Sequence, residues 1–308
     1  MKRLSRLLLL SPLVFSTVGC GENNPGNNHQ EPKPVDVVII SGQSNAVGCT
    51  HSECLPDSMG AEKYDEYFTG YPSIQIAYDC WTKDWPTADT VTFYSQNVSK
   101  KNGFVKVTLG QGNTRSTFGP EVGIAESLHE KYGNELFLIK YACGASNLKD
   151  DWLGRRSPMY PRLIEYVKLQ MNKLIEEGYL PTIRAFCWMQ GEGDSYPGYY
   201  SVYLDNLRQF VSDIREDLKD LAGGQDIPFI DAGISSAPVW EYYRQVNDAK
   251  KAFAEESEKN IYIDTIGAGL HTDQEPSYEV DIYHYDSESE IQLGRLFAEA
   301  IKPFLKQK

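Results

Sequence analysis

The sequence predicts an α/β fold in which parallel strands are joined by crossover helices, and three observations carry that prediction. From residue 35 onward, short β-branched or aromatic runs alternate with longer runs of helical periodicity. The first of these runs, Val35-Asp36-Val37-Val38-Ile39-Ile40, is almost continuously apolar, as a strand covered on both faces is. With 308 residues, 41% of them hydrophobic, the chain can bury a sizeable core as one large domain or two small ones.

Residues 1–19 read as a signal for export. Lys2, Arg3 and Arg6 precede the apolar runs Leu7 to Leu10 and Leu13 to Phe15, and the whole is too short to span a bilayer. Ser16-Thr17-Val18-Gly19-Cys20 resembles the processing box of bacterial lipoproteins, in which the cysteine becomes the lipidated first residue. Cys20 is therefore the expected lipid attachment site of a cell-envelope protein; a plain secreted protein is the alternative. Residues 20–34 are polar and rich in Asn, Pro and Gly, so they are expected to tether a globular head formed by residues 35–308.

Removing the leader leaves 27 basic against 43 acidic residues, a net charge of −16. A field of that sign excludes general binding to nucleic acid or anionic lipid and mildly disfavours anionic substrates. The cysteines show no metal-ligand spacing. Pairing among Cys49, Cys54 and Cys80 is open in an exported chain, and Cys143 and Cys187 read as small core residues.

Strands are expected at Asp36 to Ile40, Glu135 to Tyr141, Thr182 to Met189, Pro228 to Ala232 and Asn260 to Ile263. Helices are expected at Glu121 to Tyr132, Tyr160 to Glu177, Tyr199 to Leu221, Trp240 to Lys259 and Ser287 to Lys306. In the third helix, Tyr203, Leu207, Phe210, Val211 and Ile214 share one face and belong to the core. Residues 46–120 form an insertion far longer than an ordinary βα connection. Within it, Ser73 to Tyr78 and Gly103 to Val107 alternate as half-buried strands do. Following the first strand directly, the insertion is expected to overhang the active edge and shape a pocket.

The chemistry concentrates at strand ends. Ser44, in Gly42-Gln43-Ser44-Asn45, follows the first strand, where open α/β sheets expose reactive groups, and is the candidate nucleophile. Position 46 is alanine, so the Gly-x-Ser-x-Gly elbow of α/β-hydrolases is absent. Of the five histidines, His29 lies in the tether and His129 on a helix, which leaves His51, His271 and His284 as bases. His284 has Asp281 three residues before it, a spacing that lets the carboxylate orient the ring and stabilise an imidazolium. Asp286 is an alternative orienter, and His271 with Asp273 is a weaker pair. Acyl transfer needs donors for a developing oxyanion, and Ser44 N–H, Gly144 N–H and the Gln190 side chain are suitable. Asn45 and Glu192 are expected to brace the site.

Gly42-Gln43-Ser44-Asn45, the Lys140 to Ser146 segment running on to Trp152, Gln190-Gly191-Glu192-x-Asp194 and Asp281-x-x-His284 together resemble the sialate O-acetylesterase-like carbohydrate esterases, a branch of the SGNH (GDSL-like) hydrolases. The resemblance covers nearly all of residues 35–306. It implies a three-layer α/β/α flavodoxin-like fold and a Ser/Asp/His esterase that removes acetyl groups from sugars with no metal or other cofactor. Ser44, Asp281 and His284 carry over as the triad, and Ser44, Gly144 and Gln190 as the oxyanion donors. Ala46 replaces a frequent methionine, and Ala145-Ser146 replaces a more usual Gly-Thr, departures that touch specificity more than activity.

Two rivals come from other classes. Twenty tyrosines and five tryptophans, among them Trp81, Trp85 and Trp152, suit a glycan-binding lipoprotein on the same fold. A lipase or thioesterase of the same superfamily is the second. A nucleotide enzyme built on Gly110-Gln111-Gly112 lacks the third fingerprint glycine. Sialic acid would call for a cation, with Arg115 the candidate, whereas the acidic net charge points toward neutral acetylated polysaccharides such as xylan.

Overall fold

Strand β1 (Lys33–Gly42) is the axis of the fold, buried from Val35 to Gly42. The computed structural model describes residues 31–84 and 92–306; the leader, Cys20, most of the tether and Trp85 lie outside the described residues. β1 pairs in parallel with β6 (Leu136–Gly144) on one side and β7 (Tyr179–Met189) on the other. With β3 (Tyr71–Lys83), β4 (Tyr94–Val107), β8 (Phe229–Ala232) and β9 (Asn260–Ile263) they form one sheet in the order β4-β3-β6-β1-β7-β8-β9. Every adjacent pair in it is parallel except β3 with β4. A separate two-stranded ladder joins β2 (Thr50–His51) to β5 (Thr117–Phe118).

Without the β3–β4 hairpin, the remaining strands stand in the chain order 2-1-3-4-5, the flavodoxin-like arrangement. The chain leaves β1 for β6 on one flank and then crosses to β7 on the other. The carboxyl end of β1 is thus the switch point, where connections diverge and leave a crevice.

The helices are α1 (Ser44–Val47), α2 (Leu55–Ser58), α3 (Ala61–Thr69), α4 (Glu121–Tyr132), α5 (Tyr160–Glu176), α6 (Tyr203–Asp217), α7 (Tyr243–Ala254) and α8 (Ser287–Ile301). On one face of the sheet, Phe186 and Trp188 of β7 and Phe229 of β8 meet Phe210 of α6, and Phe229 meets Phe253 of α7. Tyr141 of β6 meets Tyr166 of α5 on that same side. The opposite face is covered by α4 and α8, which pack on each other. These are the three layers.

Of the expected helices, α4 has the expected ends and the other four are shorter. α7 ends at Ala254 because the Asn260 amide donates to the Phe253 carbonyl, and α8 gives way to a 3₁₀ turn at Lys302–Phe304 around Pro303. The two short strands expected in the insertion are instead a hairpin of 13 and 14 residues that extends the main sheet through β3 and β6. Its register shifts three times, which breaks the alternation a sequence pattern needs.

Candidate active site

Ser44 sits where β1 turns into α1. The turn requires glycine at position 42, whose φ is +141° and where a Cβ would stand 1.9 Å from the Met189 carbonyl oxygen. The next amide, Gln43 N–H, donates to that same carbonyl at 2.9 Å. Asn45, Ala46 and Val47 are buried while Ser44 remains partly exposed, so the turn presents the serine alone. Lys140 secures the far end of the turn. Its buried ammonium donates to Val47 O at 2.9 Å, Gln111 O at 2.7 Å and Glu121 Oε2 at 2.9 Å. Burial works against that charge, but the Glu121 carboxylate outweighs it and raises the lysine's pKa.

The candidate base lies in the loop before α8. His284 Nδ1 lies 2.6 Å from Asp281 Oδ2, and Asp281 Oδ1 accepts the Tyr283 N–H at 3.0 Å. Burial would raise the Asp281 pKa, yet its hydrogen bond to His284 leaves it lowered. For His284, burial disfavours the charged ring, while the Cys49 sulfur and Asp281 more than offset it and hold the pKa well above 6.5. Asp286, the alternative orienter, is engaged elsewhere: its Oδ2 meets His271 Nδ1 at 2.5 Å and its Oδ1 accepts Glu275 N–H at 2.9 Å.

Asn45 ties the strand ends together. Its Nδ2 donates to Glu192 Oε1 at 2.8 Å, and its Oδ1 accepts the Tyr285 N–H at 3.2 Å. One buried amide therefore joins the serine turn, the loop after β7 and the residue following His284. Glu192 is fully buried, and burial raises its pKa. Both residues stand where bracing was expected.

Ser44 and His284 line a cavity of about 490 Å³ together with Gln43 and Gly144. The insertion contributes Cys49, Thr82 and Asn113 to its wall, and Tyr196, Trp240 and Tyr283 form another part. Among the described residues, no lysine or arginine side chain lines it. Ala145, at the same edge, adopts a φ of +58°, a left-handed conformation that costs a residue with a Cβ about 1 kcal/mol.

Gln190 departs from expectation. It is fully buried and does not line the cavity; its Nε2 donates to Asp194 Oδ2 at 2.6 Å, and its Oε1 accepts the Tyr203 hydroxyl at 3.1 Å. Burial pushes the Asp194 carboxyl up to about 6, and that group needs the donors it collects from Gln190 and the Leu148 N–H. Gln190 is thereby placed as a brace away from the cavity, where an oxyanion donor was expected. Gln43 is the amide that reaches the cavity. Its Oε1 accepts Gly193 N–H at 3.0 Å and Gly191 N–H at 3.3 Å, which fixes the amide orientation. Its Nε2 donates to no group among the described residues, although the side chain is only 3% exposed and lines the cavity. The sequence shows an amide beside the nucleophile at position 43, but nothing in it prefers that amide to Gln190.

Other expectations shift as well. Trp152 is fully buried, with its indole N–H on Ser146 Oγ at 2.8 Å, so it cannot stack on a sugar. Trp81 carries the Arg162 guanidinium 4.7 Å above its ring. Arg115 is exposed and does not line the cavity. Cys49, Cys54 and Cys80 are all free thiols, and Cys143 and Cys187 are buried in the core.

Residues 34–302 match the family model described as carbohydrate esterase, sialic acid-specific acetylesterase. The chain belongs to that family. Among solved structures, the esterase resembles a protein from Arabidopsis thaliana with a TM-score of 0.60 and 21% identity, over 89% of this chain and 100% of the other. It resembles NanS with a TM-score of 0.59 and 16% identity, over 89% of this chain and 98% of that one. Both likenesses speak to the fold. No curated protein matches the esterase.

Proposed function

We propose that this carbohydrate esterase removes O-acetyl groups from a neutral sugar through an acetyl-enzyme on Ser44. The observation that carries the reading is convergence: the Ser44 hydroxyl, the His284 ring held by Asp281, and the unpartnered Gln43 amide belong to one cavity. Ser44 Oγ attacks the acetyl carbonyl as His284 takes its proton. The resulting oxyanion is held by Ser44 N–H, Gly144 N–H and Gln43 Nε2, each such donor contributing about 3 kcal/mol in the transition state. Collapse breaks the ester bond, and the leaving sugar hydroxyl takes the proton back from His284. Water then repeats the sequence on the acetyl group, releasing acetate and restoring the serine.

The preference for a neutral sugar rests on the described residues of the cavity lining, none of which is a lysine or arginine that could partner a sialic acid carboxylate. The setting we propose is the cell envelope, with export directed by residues 1–19 and anchoring through Cys20. Acetate release from acetylated xylan and from O-acetyl sialic acid tests the substrate, and a p-nitrophenyl ester series from acetate to octanoate tests the acyl group. Faster turnover of xylan acetate and of the shortest ester is expected, with Ser44→Ala lowering kcat by about 10⁴-fold or more while the fold is kept. Preference for octanoate identifies a lipase, and sugar binding without any hydrolysis identifies a binding protein.

A further inference from the structure

We propose that Tyr196, Trp240 and Tyr283 form an aromatic subsite that holds the pyranose ring bearing the acetyl group. This rests on the deacetylase reading above and adds the surface that would recognise a neutral sugar. The three rings come from different connections: Tyr196 follows β7, Trp240 follows β8, and Tyr283 stands between Asp281 and His284. All three line the cavity that holds Ser44. Trp240 and Tyr283 meet edge to face, with ring centroids 5.7 Å apart and planes at 66°. Tyr196 is 39% exposed and Tyr283 is 47% exposed, so both rings keep surface open to a ligand.

Aromatic faces are electron-rich and apolar, so they suit the C–H face of a pyranose while its hydroxyls remain solvated. The ring in question must sit close to the base, because Tyr283 is adjacent in sequence to His284. The cavity also presents the Asn113 side-chain amide, which makes no hydrogen bond among the described residues. A sugar hydroxyl can use that amide; a hydrocarbon chain cannot. Among the described residues the lining holds no carboxylate, lysine or arginine, which matches an uncharged ring.

The test compares kcat/KM on an acetylated xylo-oligosaccharide with kcat/KM on ethyl acetate, which has no ring to stack. Tyr196→Ala and Tyr283→Ala are expected to lower the sugar-to-ethyl ratio at least tenfold, mainly through KM, whereas Tyr283→Phe keeps it within threefold. An unchanged ratio in both alanine variants overturns the proposal. A second arm uses Ser44→Ala and unacetylated xylotriose, read by tryptophan fluorescence. Saturable quenching that disappears in Ser44→Ala/Tyr283→Ala supports the subsite, and no saturable change in Ser44→Ala overturns it. Should the wild-type protein hydrolyse no acetyl ester, the deacetylase reading fails while this titration still decides the subsite.

Discussion

Two aspartate–histidine pairs lie within sixteen residues of each other, and their hydrogen bonds are nearly alike: 2.6 Å for Asp281–His284 and 2.5 Å for Asp286–His271. Their surroundings differ. His284 lines the cavity beside Ser44, while His271 does not. Asp286 is 3% exposed and gathers the Gln274 and Glu275 amides as well as the ring, and its own N–H donates to the His271 carbonyl at 3.0 Å. It stands immediately before α8 and fastens the loop to that helix. The same bond therefore fastens a loop in one place and orients the proposed base in the other. What separates the two is whether the ring shares a cavity with a nucleophile.

The sharpest way to break that comparison is to remove each ring in turn. His284→Ala is expected to lower kcat/KM for an acetyl ester by about 10⁴-fold, whereas His271→Ala changes it less than about threefold. Equal losses would mean that both pairs act only on the fold.

A smaller and more diagnostic effect belongs to pH. The base must be neutral to accept the Ser44 proton, and His284 carries a raised pKa, so activity should climb with pH along a limb centred above 6.5. Asp281→Asn removes one of the groups that raise it and lets burial weigh more, so that limb should move to lower pH while the rate falls about 10²-fold or more. An unmoved or upward-shifted limb in the pH profile of kcat/KM would contradict the assignment. Asp286→Asn is expected to leave the limb in place and cost about 1–2 kcal/mol of stability, read as a Tm lower by roughly 2–6 °C.

The same contrast explains what could be read from the sequence. Asp281 and His284 were legible because the pair is local, three residues apart. The central strands were legible because β1, β6, β8 and the second half of β7 are buried and mostly apolar, while β9 at the edge offered only a short run. β4 was legible only at Gly103 to Val107, since the rest of this outer strand pairs with a shifted register. The choice between Gln43 and Gln190 was also invisible. Both amides follow apolar strands, and the decision falls to partners distant in sequence or set by backbone direction: the buried Asp194 carboxylate draws Gln190 inward, and the Gly191 and Gly193 amides hold Gln43 outward. Likewise Trp152 and Trp240 are equal candidates by residue type. Packing against Trp188 removes the first from the site and leaves the second in the cavity.

The central claim is that Ser44 is the residue acylated and that His284, not His271, activates it. Intact-mass spectrometry after treatment with a fluorophosphonate tests this directly, because the reagent forms a stable bond with an activated serine oxygen as fluoride leaves. The account predicts one adduct on Ser44 in the wild-type protein and in His271→Ala, none in Ser44→Ala, and labelling slowed by orders of magnitude in His284→Ala. An adduct on another residue, or undiminished labelling of Ser44→Ala or His284→Ala, would contradict it.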